Sequence, residues 1–291
     1  MNASPILNRI TPPPLCQLAV IALFALGGSG LAFGDEIQDA ATHGDLAKVR
    51  QLLKDNPRLI SSKDADGRTA LLCAAGAGRK EVVQFLLDDL ADVNARDKWF
   101  ETPLLAAAAA DRKEVMQLLL AHQADVNSRD SNGRTCLHAL VNTGDADALA
   151  LLLNAKPDVN AQANNGRTPL HAAVNQGDAA EVKLLLAHGA DVNARDNDGY
   201  APLHDAVNKD SSQLAAILLG SGAKVDSKDN DGVTPLALAA QTGHPDVAEL
   251  LLASHAAVNA LDNHGETPLH AAVTHGHREV AELLRQHGGH E

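Results

Sequence analysis

Histidine, aspartate and cysteine are the side chains here that can ligate metals or move protons, and the chain carries 14 histidines and 3 cysteines. His138, His171, His204 and His270 lie at multiples of 33 residues from one another. If each 33-residue unit rises roughly 10 Å, these imidazoles are too far apart to share one zinc. His275, His277, His287 and His290 are closer in sequence, and His275 with His277 is a pair that can chelate weakly. No cysteine or glutamate stands near them in a ligand spacing, so no metal site is expected. Asp64, Asp97, Asp130, Asp196, Asp229 and Asp262 invite a calcium reading, but calcium takes about six to eight oxygens and one carboxylate per unit cannot supply them. These aspartates are expected to accept backbone N–H bonds in their own turns. His204 and Asp205 are adjacent on a helical stretch and do not face each other, and no serine or cysteine nucleophile is placed to use them. Phosphate-loop, dinucleotide, nucleophile-elbow and zinc-protease motifs are all missing from the sequence. The chain is read as having no catalytic residue, no metal site and no cofactor.

These residues are positioned by a repeated unit, best seen in Thr168–Tyr200. The tetrads beginning at Thr69, Thr102, Thr135, Thr168, Ala201, Thr234 and Thr267 succeed one another every 33 residues without insertion. A fixed period of that size is the mark of a solenoid. Thr168 reads as a helix N-cap and Pro169 as the first helical residue, with Leu170 to Gln176 a short helix stopped by Gly177. Asp178 caps a second helix carrying Val182 and Leu184, Leu185 and Leu186, stopped by Gly189. Asp191 to Tyr200 is a polar loop with a tight turn at Asn197-Asp198-Gly199. Two such helices cannot bury that much leucine between themselves and need copies on either side.

The Thr-Pro-Leu-His opening, the Ala-Asp-Val-Asn-Ala segment and the Asp-x-x-Gly turn resemble the ankyrin repeat, over roughly residues 36 to 291. The resemblance implies an all-α fold, a solenoid of about eight helix-turn-helix repeats with β-hairpin fingers. It implies an L-shaped stack whose concave side is lined by fingers and first helices, and a structural hydrogen bond between the tetrad histidine and its threonine. It also implies a non-enzymatic scaffold that binds one or more partner proteins along the concave groove.

Residues 1–34 stand apart from the stack. Arg9 is their only charge, Leu15 to Phe33 is an uncharged and mostly apolar run, and Ala32-Phe33-Gly34 has the small-x-small pattern of a signal-peptidase site. Cleavage there and export, to the periplasm or outside the cell, are expected. Exported proteins of this layout resemble bacterial ones, and the mature chain is read as a monomer with no membrane insertion. Cys16 precedes the apolar core and does not fit a lipidation site. The net charge of −13 becomes −14 without Arg9, a balance that repels nucleic acid and anionic membrane. Cys73 and Cys136 sit two repeats apart, beyond the reach of a disulfide.

Both ends read as polar caps. Residues 35–67 lack the tetrad, and Lys48 and Gln51 stand where the next repeat has Val82 and Phe85. In the last repeat (267–291) Arg285 replaces the leucine found at 120, 153, 186, 219 and 252. The pattern reads as one complete domain over 35–291.

Departures from the pattern mark candidate binding residues. Phe100 occupies the place of a turn glycine (Gly67, Gly133, Gly166, Gly199, Gly232 or Gly265 elsewhere) and follows Trp99, the only tryptophan. The pair is either an aromatic anchor for a partner or a filler folded onto neighbouring fingers. Just before each tetrad runs a column expected to face the concave side, Arg68, Glu101, Arg134, Arg167, Tyr200, Val233 and Glu266, whose arginines and tyrosine suit carboxylates and aromatics. Asn142, Asn175, Gln176, Asn208 and Lys209 extend that polar face. Two other readings stay open: a small-molecule or metal-handling protein using the C-terminal histidines, and a scaffold tethered to the membrane by an uncleaved leader.

Overall fold

The computed structural model describes residues 35–291, so the expected leader lies outside the described residues. Among the described residues sixteen α-helices follow one another in eight pairs. The first four pairs are α1 (Glu36–His43) with α2 (Leu46–Asp55), α3 (Ala70–Gly76) with α4 (Lys80–Asp88), α5 (Pro103–Ala109) with α6 (Lys113–Ala121), and α7 (Cys136–Val141) with α8 (Ala146–Asn154). The last four are α9 (Pro169–Gln176) with α10 (Ala179–Ala187), α11 (Pro202–Asn208) with α12 (Ser212–Gly220), α13 (Pro235–Thr242) with α14 (Pro245–Ala253), and α15 (Pro268–Thr274) with α16 (Arg278–Gln286).

Most helices start at a side-chain cap, although α1, α4, α6, α14 and α16 do not. The hydroxyls of Thr69, Thr102, Thr234 and Thr267 accept from the backbone amide three residues on. Asp45, Asp145, Asp178 and Ser211 do the same for second helices, satisfying amides that have no partner within the helix. Gly177 ends α9 at φ +92°, a conformation in which a Cβ is strained. First helices bury Leu71, Leu104, Leu137, Leu170, Leu203, Leu236 and Leu269 at the 33-residue period, all 3% exposed or less. Each such side chain contributes about 1.5–3 kcal/mol relative to exposure, and none finds enough cover within its own helix pair. In α10 Leu185 is fully buried, whereas Leu184 and Leu186 are only partly covered.

The strands expected in the fingers do not form among the described residues. Each finger reverses within five residues and closes on itself with few bonds, such as Asp97 N–H to Glu101 O (3.1 Å). It then gives its neighbour one backbone bond, Lys98 to Asp66, Ser131 to Trp99, Asn164 to Asn132, Asn197 to Asn165, Asn230 to Asp198 and Asn263 to Asp231, at 2.8–3.0 Å. One bond per neighbour is a rung and not a ladder long enough for a sheet.

Lys48 is about half exposed and pairs with Glu36 at 2.6 Å, Gln51 turns to Asp55, and Arg285 is exposed.

Candidate functional site

Three of the tetrad histidines are structural, whereas His270 in the last repeat is about half exposed and lies 3.7 Å from Glu266. The Thr168 N–H and hydroxyl meet His171 Nδ1 at 3.2 and 2.9 Å, and His171 Nε2 donates to Tyr200 O at 3.0 Å. His138 repeats the arrangement toward Arg167 O, and His204 toward Val233 O. A ring whose Nδ1 accepts and whose Nε2 faces a carbonyl is neutral with its proton on Nε2. Burial holds His138 and His171 down at about 4, with Arg167 adding to the effect on His171. These three imidazoles tie α7, α9 and α11 to the next finger, each with both ring nitrogens engaged.

The aspartate column does what its spacing predicts. Asp64, Asp97, Asp130, Asp196, Asp229 and Asp262 each accept two backbone N–H bonds within their own finger, at 2.8–3.0 Å. The row breaks at Ala163, where Asn165 accepts from the Arg167 amide instead.

The column before the tetrads is uneven. Arg68 is held by Asp64 (2.8 Å) and Asp66 (3.5 Å). Arg167 is clamped between Asp196 (3.2 Å) and Asp205 (2.6 Å). Arg134 is partly exposed and makes no ion pair among the described residues, since the next finger offers Ala163 and the next helix Ala172. Glu101 stands where the preceding finger has Arg68, so Asp97 has no cation in its own finger and feels Arg68 only at a distance, and its Oδ2 is buried without a hydrogen-bond partner among the described residues. Burial pushes Glu101 up to about 7, and Asp97 and Asp130 add to that while Arg68 opposes it.

Tyr200 packs on the His204 ring at 5.1 Å between centroids and is hydrogen-bonded by Asn208. Gln176 donates to Asn142 at 2.9 Å across one repeat, Lys209 lies over Gly177, and Asn175 is exposed. The structure therefore joins Arg167, Tyr200 and Asn208 with Asp205 into a polar cluster, and Asn142 with Gln176 beside it. Arg68, Trp99 and Phe100 lie toward the N-terminal end of the stack. Asp205 was the one member of this cluster dismissed with His204. It faces Arg167, and the signal for that was its replacement of the alanine found at 106, 139 and 172.

Phe100 keeps the turn a glycine would make, at φ +62°, and is 51% exposed beside Trp99 at 42%. At Gly166 a Cβ would strike Asn197 Oδ1 at 2.5 Å, whereas the residue in the matching place after Phe100 is the smaller Ser131. The Lys98 ammonium lies 4.3 Å over the Trp99 ring. The finger is thus undistorted, and the side chains stay on the surface.

Neither of the two described cysteines, Cys73 and Cys136, is poised for chemistry. Burial raises Cys73 to about 11 and raises Cys136 further, and both are free thiols. The rings of His275 and His277 stack at 6.3 Å, with one nitrogen of each turned to a backbone carbonyl.

One residue escaped the sequence reading. Glu181 occupies a row that reads Val82, Val115, Ala148, Leu214, Val247 and Val280 in the other repeats from the second onward. It is wholly buried, and both its carboxyl oxygens lack a partner.

A family model described as ankyrin repeats (3 copies) matches residues 37–97, 91–163, 137–229 and 203–291. No curated protein matches the chain.

Proposed function

Because the chain belongs to the ankyrin repeat family, whose repeats are protein-interaction modules, we propose that it is a non-catalytic scaffold anchoring a partner protein at the finger of Trp99 and Phe100. The observation that carries this reading is the exposure of both aromatics, with Phe100 held at φ +62° where glycine stands in the other fingers, at a cost of order 1 kcal/mol. Buried aromatic anchors supply much of the energy at protein interfaces, so a partner that covers these rings recovers what the fold gives up. The unpaired Glu101 at the base of the same finger suits a partner segment with a lysine or arginine next to an apolar side chain. The groove beyond adds hydrogen-bonding groups at Arg134, Asn142, Asn175, Gln176, Asn208 and Lys209, whereas Arg167 is already engaged by this chain's own carboxylates.

The same reading places the protein outside the cytoplasm, after cleavage near Asp35, on the strength of the apolar run Leu15 to Phe33. The test is a cross-linked pull-down from fractionated native cells comparing wild type with the Trp99→Ala/Phe100→Gly variant. Loss of a specific partner from a variant of unchanged helical circular dichroism supports the finger as anchor, and survival of the same partner moves recognition to the groove. Mass spectrometry of the captured protein reads the N-terminus, and a retained Met1 would sink the export reading.

A further inference from the structure

We propose that Glu181 makes the junction between α7–α8 and α9–α10 a proton-gated joint, closed while its carboxyl is neutral and loosened when the carboxyl ionises and must reach water. The geometry sets up the conflict. Glu181 lies in the first turn of α10, in a row that is apolar in every other repeat from the second to the eighth and at most 2% exposed throughout. Its two oxygens have no hydrogen-bond donor among the described residues, whereas the neighbouring Asp178 caps the amides of Ala180 and Glu181. A buried neutral carboxyl in such a place is tolerable; a buried unpaired carboxylate is not.

Among the described residues no helix packed on α10 brings a compensating cation, and Lys209, which lies over Gly177, is exposed. In α8 the titratable side chain is Asp147, exposed and turned to Lys113. In α9 it is His171, neutral and occupied by Thr168 and Tyr200. The helix α12 has none between Ser212 and Gly220, and Lys183 of α10 itself is exposed. The charges that act on Glu181 are the carboxylates of Asp178 and of Asp145, the cap of α8, and both repel it. Burial first, then these two, pushes its carboxyl up to about 7. Asp145 is the link to the preceding pair, which is why the strain falls on this junction rather than on α10 alone.

The test is hydrogen exchange of the protein at pH 5.5 and pH 8, corrected for intrinsic rates, on wild type and Glu181→Val. Valine is the residue of four other repeats in this row, so the variant is expected to fold, and Glu181→Gln serves as a second. The rise in local opening over residues 135–187 between the two pH values is expected to be on the order of 20-fold larger in wild type than in Glu181→Val. Because His171 and its neighbours are unchanged in the variant, their own titration cancels in that comparison. Carbon-13 detection of the Glu181 carboxyl in wild type should show a midpoint well above the ordinary glutamate range. Equal pH dependence in both proteins, or a carboxyl titrating where an exposed glutamate does, overturns the proposal.

Discussion

Arg167 Nη2 lies 2.6 Å from Asp205 Oδ2, a contact between the base of one finger and the first helix of the following pair, 38 residues on. Asp205 is 6% exposed and Arg167 is its recorded partner, so the arginine keeps a buried carboxyl tolerable in a row otherwise held mostly by alanine. Arg167→Ala should cost about 3 kcal/mol in urea unfolding, because it strands that group. Arg167→Ala/Asp205→Ala should return to within about 1 kcal/mol of wild type. Additive losses in the double variant would show that the two residues do not act as a pair.

Phe100→Gly should raise stability by about 1 kcal/mol, since the turn at φ +62° is then unstrained. The same change should weaken capture of the partner. A variant more stable yet poorer at binding is the signature of a residue kept for recognition, and chemical unfolding beside the pull-down reads both.

Acid sensitivity should come from the tetrad histidines. His171 is held at about 4 in the folded protein against about 6.5 when unfolded, so the unfolded chain takes up the proton first as pH falls. The stability it contributes is whole above about pH 6.5 and is lost as pH drops toward 4. His171→Leu, with the residue found at 72 and 105, should lose about 1–3 kcal/mol at pH 7.5. It should also flatten the decline between pH 6.5 and 4, as followed by thermal melts across that range.

Core and edge leucine positions should separate cleanly. Leu185→Ala should destabilise by about 2–5 kcal/mol as a fully buried truncation in mid-stack, and Leu186→Ala by less because it is only partly covered. Arg285→Ala, exposed in the last helix, should stay within about 0.5 kcal/mol.

The periodic part of this molecule was legible because its causes are local. Threonine caps, the glycine at 177 and the aspartate turns each act within four residues, so their spacing in the sequence is their geometry. The turns of the fingers are equally local, but each closes with too few bonds to register as strands among the described residues. Arg167 looked available for a partner because its acids lie 29 and 38 residues away, and only the stacking brings them to it. Glu181 was visible in principle, by reading the valine row instead of the tetrads. What no local pattern supplies is whether a charge in that row finds a donor, and here it does not.

The single backbone rung between fingers has a mechanical meaning. Every hydrogen bond or ion pair recorded between units among the described residues spans 38 positions or fewer, so none ties the first helices to the last. Tension applied at the two ends of the stack is therefore carried by its junctions in series. Extension would proceed in steps, one repeat at a time, and the first step would come at whichever junction is weakest under the prevailing conditions.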